Sequence, residues 1–476
     1  MSVLVLILVF VEFAWAIQQP EAPAIAEQNT TETKFGKVTK GRFRVFENRL
    51  LKKGRQIHLN FVVLHAQGDD PKTDPFFFIV GGPGQAATTT EARWANHWIR
   101  RERDVVLIDQ RGTGGDNRLQ FEFKTEGNTL QQFMDSLWRD EVVKANLDRL
   151  SKSYDLSMYS TQMAADDLND FRKAMGYSKI NISGGSYGTR ASLVYIRRHG
   201  ETVRTATLAG CAPIEFRNPL YHAEGGQRCL DMIFEEVAKA PKYREAFGDL
   251  RKKFAELSNR LEAKPVSVLI TNRTTGKEEA ITLDRDQFMS AVRFQTYYTS
   301  NSRRLPKLLC EAHEGNFRPF VLDVLRQNIA IRQSLAMGML LSVSTAEDLS
   351  RIDPAEVEPL TKDTYLGPSR VLSQMRAGKI WPKSELDGDY GEPVKSDVQT
   401  LILSGSLDPV TPPKWGEMVH KNFPNSIHVV VPTAHDVGGR CVDSLKKRFL
   451  ETGDVGQLDT RCAEKMELPP LVMPEG

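Results

Sequence analysis

Three segments of the chain carry side chains that could act together on a carbonyl carbon. Ser186 is the centre of segment 184–188 (GGSYG), which stands between a short apolar run and a helical pattern. Such a G-x-S-x-G pattern places the serine on a sharp strand-to-helix turn, where glycines leave room on either side of it. A serine hydroxyl is a poor nucleophile at neutral pH, so the chemistry also needs a base and a group that orients the base.

Two later segments can supply the base and the orienting group. Asp408 follows the apolar run 400–404, and His435 follows the apolar run 427–431. The chain order serine, acid, histidine is a known order for such a triad. We therefore predict a catalytic triad of Ser186, Asp408 and His435.

Neighbouring residues of the same types compete for two of these roles. Asp436 competes for the acid, and His420 and His428 compete for the base. We favour Asp408 because Asp436 adjoins His435, and successive side chains of an extended segment point apart. We favour His435 because His420 falls on a predicted helix and His428 inside a predicted strand.

Hydrolysis through a tetrahedral intermediate also needs two backbone N–H groups that face the oxyanion. Tyr187, directly after the serine, supplies one, and we select Gly82 in the glycine-rich loop 81–84 for the other. The same loop, with Asp109 further along, also matches a dinucleotide-binding pattern. We disfavour that alternative because Pro83 removes an N–H that would face the phosphates.

These segments need a scaffold that brings the ends of several strands together. Short apolar runs alternate with helical patterns before residue 213 and again after 398, whereas the stretch between is largely helical. This pattern predicts an α/β fold with a mostly parallel central sheet flanked by helices, and a large, mainly helical lid inserted before the acid residue. The predicted divisions are a signal peptide (1–16), an N-terminal leader (17–41), the first part of the core (42–213), the lid (214–395) and the second part of the core (396–476).

The composition excludes several classes of protein. The chain has 476 residues, of which 40% are hydrophobic, and this is enough apolar material to exclude global disorder. Lys and Arg number 63 against 61 Asp and Glu, so there is no positive surplus of the kind that nucleic-acid-binding proteins carry. The sequence has no CxxC and no HExxH pattern, and we expect no metal and no other cofactor.

The N-terminal segment 2–16 is apolar and ends in the small-residue triplet Ala14-Trp15-Ala16. It is shorter than the roughly 20 residues that span a bilayer, and it predicts a signal peptide cleaved after about Ala16. The protein is then secreted or periplasmic, without stable membrane insertion after cleavage; the alternative is an uncleaved anchor or a misassigned start. The Pro-, Ala- and Thr-rich stretch 18–34 is predicted to be a disordered leader.

Export would permit disulfides among the five cysteines. Cys441 and Cys462 are 21 positions apart near the C-terminus, and we predict a bridge between them. A second bridge between Cys229 and Cys310 stays open as an alternative and would leave Cys211 unpaired.

Taken together, the motifs resemble those of serine peptidases of the proline iminopeptidase and tripeptidyl aminopeptidase (TAP-like) kind, which have an α/β-hydrolase fold. The matching segments are GGPG (81–84), DQRGTG (109–114), GGSYGT (184–189), DPVTP (408–412) and His435. The resemblance extends over about residues 42–470, with a departure at Val80, where proline iminopeptidases usually have histidine. It implies an exopeptidase that acts on peptides with a free N-terminus and releases an amino acid or a short peptide through an acyl-enzyme.

An aminopeptidase has to recognise the α-ammonium group of its substrate, and a partly buried carboxylate does this best. Glu347 and Asp348, in a lid segment that resembles the tripeptidyl type, are the candidates for this role. The alternative for Glu347 is a capping box with Ser344, in which it closes a helix N-terminus.

Two other functions are compatible with the same fold. A carboxylic-ester hydrolase, either an esterase or a lipase, would have an apolar acyl pocket and no use for carboxylates in the lid. A non-catalytic binding module would keep the fold without using the triad. It is less favoured because nucleophile, base, acid and both N–H donor loops are all present in the sequence.

Overall fold

The computed structural model describes residues 23–123 and 129–474, and the predicted signal peptide lies outside these described residues. Its central element is a nine-stranded sheet with the order β1-β2-β3-β5-β4-β6-β7-β10-β11, and β8 and β9 form a separate two-stranded sheet. The strands are β1 (Ala24–Thr33), β2 (Gly36–Phe46), β3 (Gln56–Leu64), β4 (Phe76–Ile79), β5 (Val105–Ile108), β6 (Ile180–Gly185), β7 (Val203–Ala209), β8 (Val266–Thr271), β9 (Glu278–Leu283), β10 (Gln399–Gly405) and β11 (Ser426–Val431).

Six neighbouring strands of the large sheet run parallel, from β5 through β4, β6, β7 and β10 to β11. All four residues of β5 are buried, as are six of the seven in β10. Strands covered on both faces have such continuous apolar runs, because neither side meets water. The predicted α/β class with a mostly parallel sheet is confirmed, and the carboxyl ends of the parallel strands meet at one edge.

Residues 24–33, predicted to belong to a disordered leader, instead form strand β1. This strand pairs along its length with β2 in antiparallel register, from Ala24 opposite Arg44 to Thr33 opposite Gly36. Eight of its ten residues are exposed, so the sequence shows no apolar alternation that would mark a strand. Its threonines favour extended backbone, and pairing with β2 provides the hydrogen bonds.

Helices cover both faces of the sheet. Phe171 of α3 packs with Phe77 on one face, and Phe449 of α15 packs with Leu403 on the other. No helix in the described part of the chain combines the length and apolar character needed to cross a membrane. The α-helices are α1 (Glu91–Trp94), α2 (Asp140–Leu150), α3 (Thr161–Ala174), α4 (Tyr187–His199), α5 (His222–Lys239), α6 (Pro241–Phe247), α7 (Leu250–Ala263), α8 (Arg285–Gln295), α9 (Thr299–His313), α10 (Arg318–Ser334), α11 (Met337–Glu347), α12 (Pro354–Thr361), α13 (Ser369–Ile380), α14 (Pro413–His420), α15 (Arg440–Thr452) and α16 (Arg461–Glu464).

The lid is the part of the chain between β7 and β10. It contains α5 to α13 and the β8–β9 hairpin, and it has its own apolar core around Phe254 and Phe288. Helices α11 and α13 instead join the main core through Met339 and Val371. The predicted helical insertion before Asp408 is confirmed, and its two attachments hold it over the carboxyl edge of the sheet.

The structure joins Cys441 and Cys462 by a disulfide with an S–S distance of 2.06 Å. The second bridge that the sequence left open is not formed. Cys211, Cys229 and Cys310 are free, buried thiols.

Candidate active site

Ser186 occupies the turn between β6 and α4 with φ 56° and ψ −128°, a conformation that is uncommon for a non-glycine residue. Its N–H donates to the carbonyl oxygen of Ala209 at 3.0 Å, which ties the turn to the neighbouring strand β7. A β-carbon at Gly184 would lie 2.3 Å from the carbonyl oxygen of Gly188, and one at Gly188 would lie 2.2 Å from that of Ile79. The G-x-S-x-G spacing therefore has a steric cause, because a side chain at either glycine position would collide with a backbone carbonyl oxygen.

Asp408 and His435 form a hydrogen-bonded pair on the loops after β10 and β11. His435 Nδ1 is 2.7 Å from Asp408 Oδ2, and the Asp408 side chain is fully buried. The other oxygen, Oδ1, accepts from the backbone N–H groups of Val410 and Thr411, each at 2.8 Å, and the Thr411 hydroxyl donates to Oδ2 at 2.8 Å. These donors fix the carboxylate so that it can orient the imidazole.

The protonation of this pair follows from its surroundings. Burial alone would raise the pKa of Asp408, but the facing His435 and the N–H groups of Val410 and Thr411 outweigh it, and the pKa lies below its ordinary value. An ionised carboxylate accepts the Nδ1 proton of His435. Nε2 is then left as the nitrogen that can take a proton.

His435 and Ser186 meet at the same edge of the sheet. A β-carbon on Gly210 would lie 3.3 Å from Cε1 of His435, and the preceding residue, Ala209, accepts the N–H of Ser186. The Tyr297 ring packs edge-on against the imidazole at a centroid distance of 5.4 Å, and its carbonyl oxygen accepts the N–H of His435. Serine and histidine line one cavity, as the predicted triad requires.

The competing residues have other partners. Asp436 accepts from the N–H of Thr299 at 2.9 Å and from its hydroxyl, so it anchors the lid rather than the imidazole. His420 is bonded to the Ser426 hydroxyl, and His428 to the Ser404 hydroxyl. Neither histidine faces the nucleophile.

Backbone N–H groups lie on both sides of Ser186. Tyr187 is the first residue of α4, so its N–H has no partner within the helix. Gly82 has φ +122° in the loop after β4 and lines the cavity. A β-carbon on Gly81 would lie 3.3 Å from the Ser186 β-carbon, and the loop therefore passes directly over the nucleophile. The sequence pattern selected Gly82 and missed this contact of Gly81.

The residues of the rival dinucleotide pattern have a different role. Asp109 is buried and accepts from the N–H of Thr88 at 2.9 Å and from its hydroxyl at 3.0 Å. It therefore closes the loop after β4 and presents no carboxylate to a ribose. Among residues 23–123 and 129–474, no cluster of three or more His, Cys, Asp or Glu side chains could hold a metal ion.

The cavity between triad and lid has a volume of about 870 Å³. One part of its wall is apolar and aromatic, with Leu137, Trp138, Phe216, Leu335, Met337 and Leu340. The other part is charged and polar, with Arg190, His222, Arg293, Asp348, Arg370 and Gln374. The cavity is large enough for a drug-sized or short-peptide ligand with both apolar and ionic groups.

The two lid carboxylates that were expected to bind an amine differ in position. Glu347 is fully buried, is not part of the cavity wall, and accepts from the Thr161 N–H at 2.6 Å, the Thr161 hydroxyl at 2.7 Å and the Tyr390 hydroxyl. Its carboxylate is held by these protein donors and lies outside the cavity wall, so the structure does not bring it to the cavity that contains the triad. The capping-box alternative is wrong, since Ser344 lies inside α11 and Glu347 ends that helix.

Asp348 does reach the cavity wall. Its Oδ1 accepts from Nη1 of Arg190 at 2.6 Å, and both side chains are almost completely buried. Burial raises the pKa of Asp348 more than its arginine partner lowers it. Among the two candidates, only this carboxylate is placed where a substrate could approach.

Several residues of the site have no signature in the sequence. Tyr297, Arg293 and Arg370 come from lid helices or the loops beside them, and only the folded chain brings them to the triad. Thr411 could have been found, because it belongs to the DPVTP segment that follows the acid.

The fold and the site match a known family. A family model described as alpha/beta hydrolase fold matches residues 74–438, and the chain belongs to this family. No curated protein matches the sequence.

Similar solved structures come from enzymes of several kinds. A proline iminopeptidase from Mycobacterium smegmatis is 12% identical, with a TM-score of 0.38 and coverage of 84% of this chain and 96% of that one. An esterase from Thermogutta terrifontis is 13% identical, with a TM-score of 0.33 and coverage of 90% and 100%. A putative lipase from Acinetobacter baumannii is 15% identical, with a TM-score of 0.34 and coverage of 90% and 93%.

Proposed function

We propose that the protein is a serine hydrolase that cleaves acyl bonds through a covalent acyl-enzyme. The observation that carries the proposal is the strained Ser186 in the same cavity as a His435 whose Nδ1 is held 2.7 Å from a buried, ionised Asp408. A nucleophile, a base and an orienting acid on three separate loops have this arrangement when they act as a unit.

In the proposed mechanism, Ser186 Oγ attacks the substrate carbonyl while Nε2 of His435 takes its proton. The Asp408 carboxylate holds the imidazole and stabilises the imidazolium that forms. The N–H groups of Tyr187 and Gly82 donate to the oxyanion of the tetrahedral intermediate. His435 then protonates the leaving group. In the second half of the reaction, water attacks the acyl-enzyme while His435 takes its proton, and His435 returns a proton to Ser186 as the acyl group leaves.

The proposed substrates are peptides with a free N-terminus, from which an amino acid or a short peptide is released. The resemblance of five segments to TAP-like peptidases supports this, and so does the charged half of the cavity, which suits an ionic substrate. Asp348, on the cavity wall, is the proposed acceptor for the substrate ammonium. Because Asp348 is already paired with Arg190, its carboxylate would be shared between Arg190 and the substrate ammonium.

A carboxylic-ester hydrolase is the second candidate. The apolar half of the cavity, with Trp138 and Leu340, would accept an acyl chain without any ionic contact. The two functions share the triad and differ in which half of the cavity holds the acyl group.

Paired substrates separate the two candidates. We would measure kcat/KM for aminoacyl and tripeptidyl amides with free and with acetylated N-termini, alongside p-nitrophenyl esters. A peptidase is expected to hydrolyse the free amides and to lose most of this activity on acetylation. Turnover of esters alone, unaffected by acetylation, would favour the esterase. Ser186→Ala should abolish all turnover, whereas the exposed Ser350→Ala serves as the matched control.

Action outside the cytosol is a further part of the proposal, and it is supported by the apolar segment 2–16. N-terminal sequencing of the protein from the extracellular or periplasmic fraction is expected to begin at about Ile17. Recovery of the uncleaved chain from the cytosol would contradict it.

A further inference from the structure

The cavity wall beside His435 carries two arginines that have no carboxylate partner in the described part of the chain. Arg293 is 1% exposed, and its Nη2 donates to the Tyr297 hydroxyl at 2.7 Å and lies 3.2 Å from Nδ1 of His222. Arg370 lines the same cavity. The Nε atoms of both arginines are buried without a hydrogen-bond partner. Both guanidinium groups therefore have donors that no described residue uses.

Other deeply buried arginines of this chain are neutralised or bonded to carbonyl oxygens. Arg111 is paired with Asp167 at 2.7 Å, and Arg303 is paired with Glu236. Arg100 donates to backbone carbonyls, including that of His65 at 3.0 Å. Arg293 is as buried as these three, yet only a histidine nitrogen and a tyrosine hydroxyl accept from it. Among the described residues, no carboxylate and no carbonyl oxygen accepts from the guanidinium group of Arg293 or of Arg370.

The described neighbours of the two arginines add no negative charge. Burial and the adjacent Arg293 lower the pKa of Arg370, since the positive charge of Arg293 makes a second charge beside it more costly to hold. Burial and Arg293 also lower the pKa of His222 well below its ordinary value, so this ring is neutral and able to accept a hydrogen bond. An anion between the guanidinium groups would relieve this repulsion.

The carboxylates on the cavity wall near the triad do not provide that anion. Of the three carboxylates on the wall, Asp348 is held by Arg190 at 2.6 Å and Asp436 accepts from Thr299. The third, Asp443, interacts with His97 and Lys446. The position for an anion thus lies inside the cavity, where substrate binds.

A single side chain, that of Tyr297, connects this position to the base His435. The Tyr297 hydroxyl accepts from Arg293, and the ring of the same tyrosine packs against the His435 imidazole. A group bound by Arg293 and Arg370 therefore belongs to a substrate residue close to the bond that is cut.

We propose that Arg293 and Arg370 form a carboxylate subsite, and that the preferred substrates are short peptides with a carboxylate near the scissile bond. This inference rests on the proposed function for the reaction and adds the substrate class. The carboxylate is either the C-terminus of a short peptide or an acidic side chain. Guanidinium groups bind either one through paired, charge-assisted hydrogen bonds.

Binding to the inactive Ser186→Ala protein tests the subsite. Calorimetry would compare trialanine with trialanine amide, and Ala-Glu-Ala amide with Ala-Gln-Ala amide. We expect the acid of at least one pair to bind about 10- to 100-fold more tightly than its amide, since hydrogen bonds between charged groups have this strength. The pair that shows the difference identifies the source of the carboxylate. Equal binding within both pairs, or no measurable binding of either acid, overturns the proposal.

Variants on the same Ser186→Ala background assign the preference to the arginines. Arg370→Gln should bring acid and amide close to equal affinity, and Arg370→Lys should restore part of the preference. Arg251→Gln, which removes an exposed arginine paired with Asp231, is the matched control and should keep it. A preference that survives in Arg370→Gln contradicts the assignment.

Turnover separates the subsite from the reaction. If the active protein hydrolyses esters but no peptide amide, while the acid preference in binding persists, the peptidase proposal fails and the subsite stands. If peptide amides are hydrolysed with equal efficiency whether or not they carry a carboxylate, and binding shows no preference, the subsite fails and the peptidase stands.

Discussion

Replacing Asp408 by Asn tests the account of the triad atom by atom. The carboxylate accepts the N–H groups of Val410 and Thr411 on Oδ1, and it accepts the Thr411 hydroxyl and His435 Nδ1 on Oδ2. The amide oxygen of an Asn would stay at the Oδ1 position, where the two backbone N–H groups donate to it. Its NH₂ group would then take the place of Oδ2. That amide donates to Nδ1 and forces the imidazole proton onto Nε2, the nitrogen that has to accept the proton of Ser186.

The expected loss follows from this wrong tautomer. We expect kcat to fall about 10,000-fold, or about 5 kcal/mol in activation free energy, as for an orienting acid in other triads. Because two of its hydrogen bonds survive, Asp408→Asn should stay folded and lose only about 1.5–3 kcal/mol of stability. Steady-state kinetics on the best substrate and urea unfolding measure the two quantities separately.

Asp436→Asn is the matched control, since Asp436 adjoins His435 in sequence but bonds to Thr299. Its kcat is expected to stay within about tenfold of wild type. A folded Asp408→Asn protein that keeps more than about a tenth of wild-type kcat would show that Asp408 does not set the tautomer of His435. A large loss in Asp436→Asn alone would move the acid role to that residue.

Three further predictions concern the turn, the buried lid carboxylate and pH. Gly188→Ala should yield a protein without activity or without a stable fold, because its β-carbon would lie 2.2 Å from the Ile79 carbonyl oxygen; activity and circular dichroism check this. Glu347→Ala should lower the free energy of unfolding by about 3 kcal/mol, because it strands buried donors, while the activity ratio between free and acetylated substrates stays unchanged; a changed ratio would return Glu347 to amine binding. Folding lowers the pKa of His222, so below about pH 6.5 the unfolded chain binds a proton at this residue that the folded chain does not bind. The free energy of unfolding should therefore fall by up to about 2 kcal/mol at pH 5. Urea unfolding at pH 7.5 and 5 should show this loss in wild type and a smaller one in His222→Asn, and equal losses would contradict it.

The parts of the site that the sequence could predict all lie where a strand of the parallel sheet ends. Ser186, Asp408 and His435 each follow a short apolar run, and parallel strands bring such positions to one edge whatever the details of packing. The glycines around Ser186 add a steric requirement that shows as a motif.

The sequence was misleading where tertiary contacts replace a local rule. Strand β1 is exposed along most of its length, so its pairing with β2, and not a buried apolar face, makes it a strand. Glu347 stands three residues after Ser344 as in a capping box, but α11 begins at Met337, and long-range partners such as Thr161 fix the carboxylate.

The lid residues could not be assigned for a third reason. Arg293 and Arg370 are 77 positions apart in a stretch without motifs, and only the packing of the lid onto the sheet brings them to one cavity. That no carboxylate of residues 23–123 and 129–474 pairs with them is a property of the folded chain.

Covalent labelling shows whether Ser186 is a nucleophile activated by His435. A fluorophosphonate probe requires a serine whose proton an adjacent base can take, and it reacts without regard to the substrate class. Mass spectrometry after digestion should find the phosphonyl group on Ser186 of the wild-type protein, with little labelling in His435→Ala. Labelling of another serine, or none on Ser186 of the folded protein, would contradict the account.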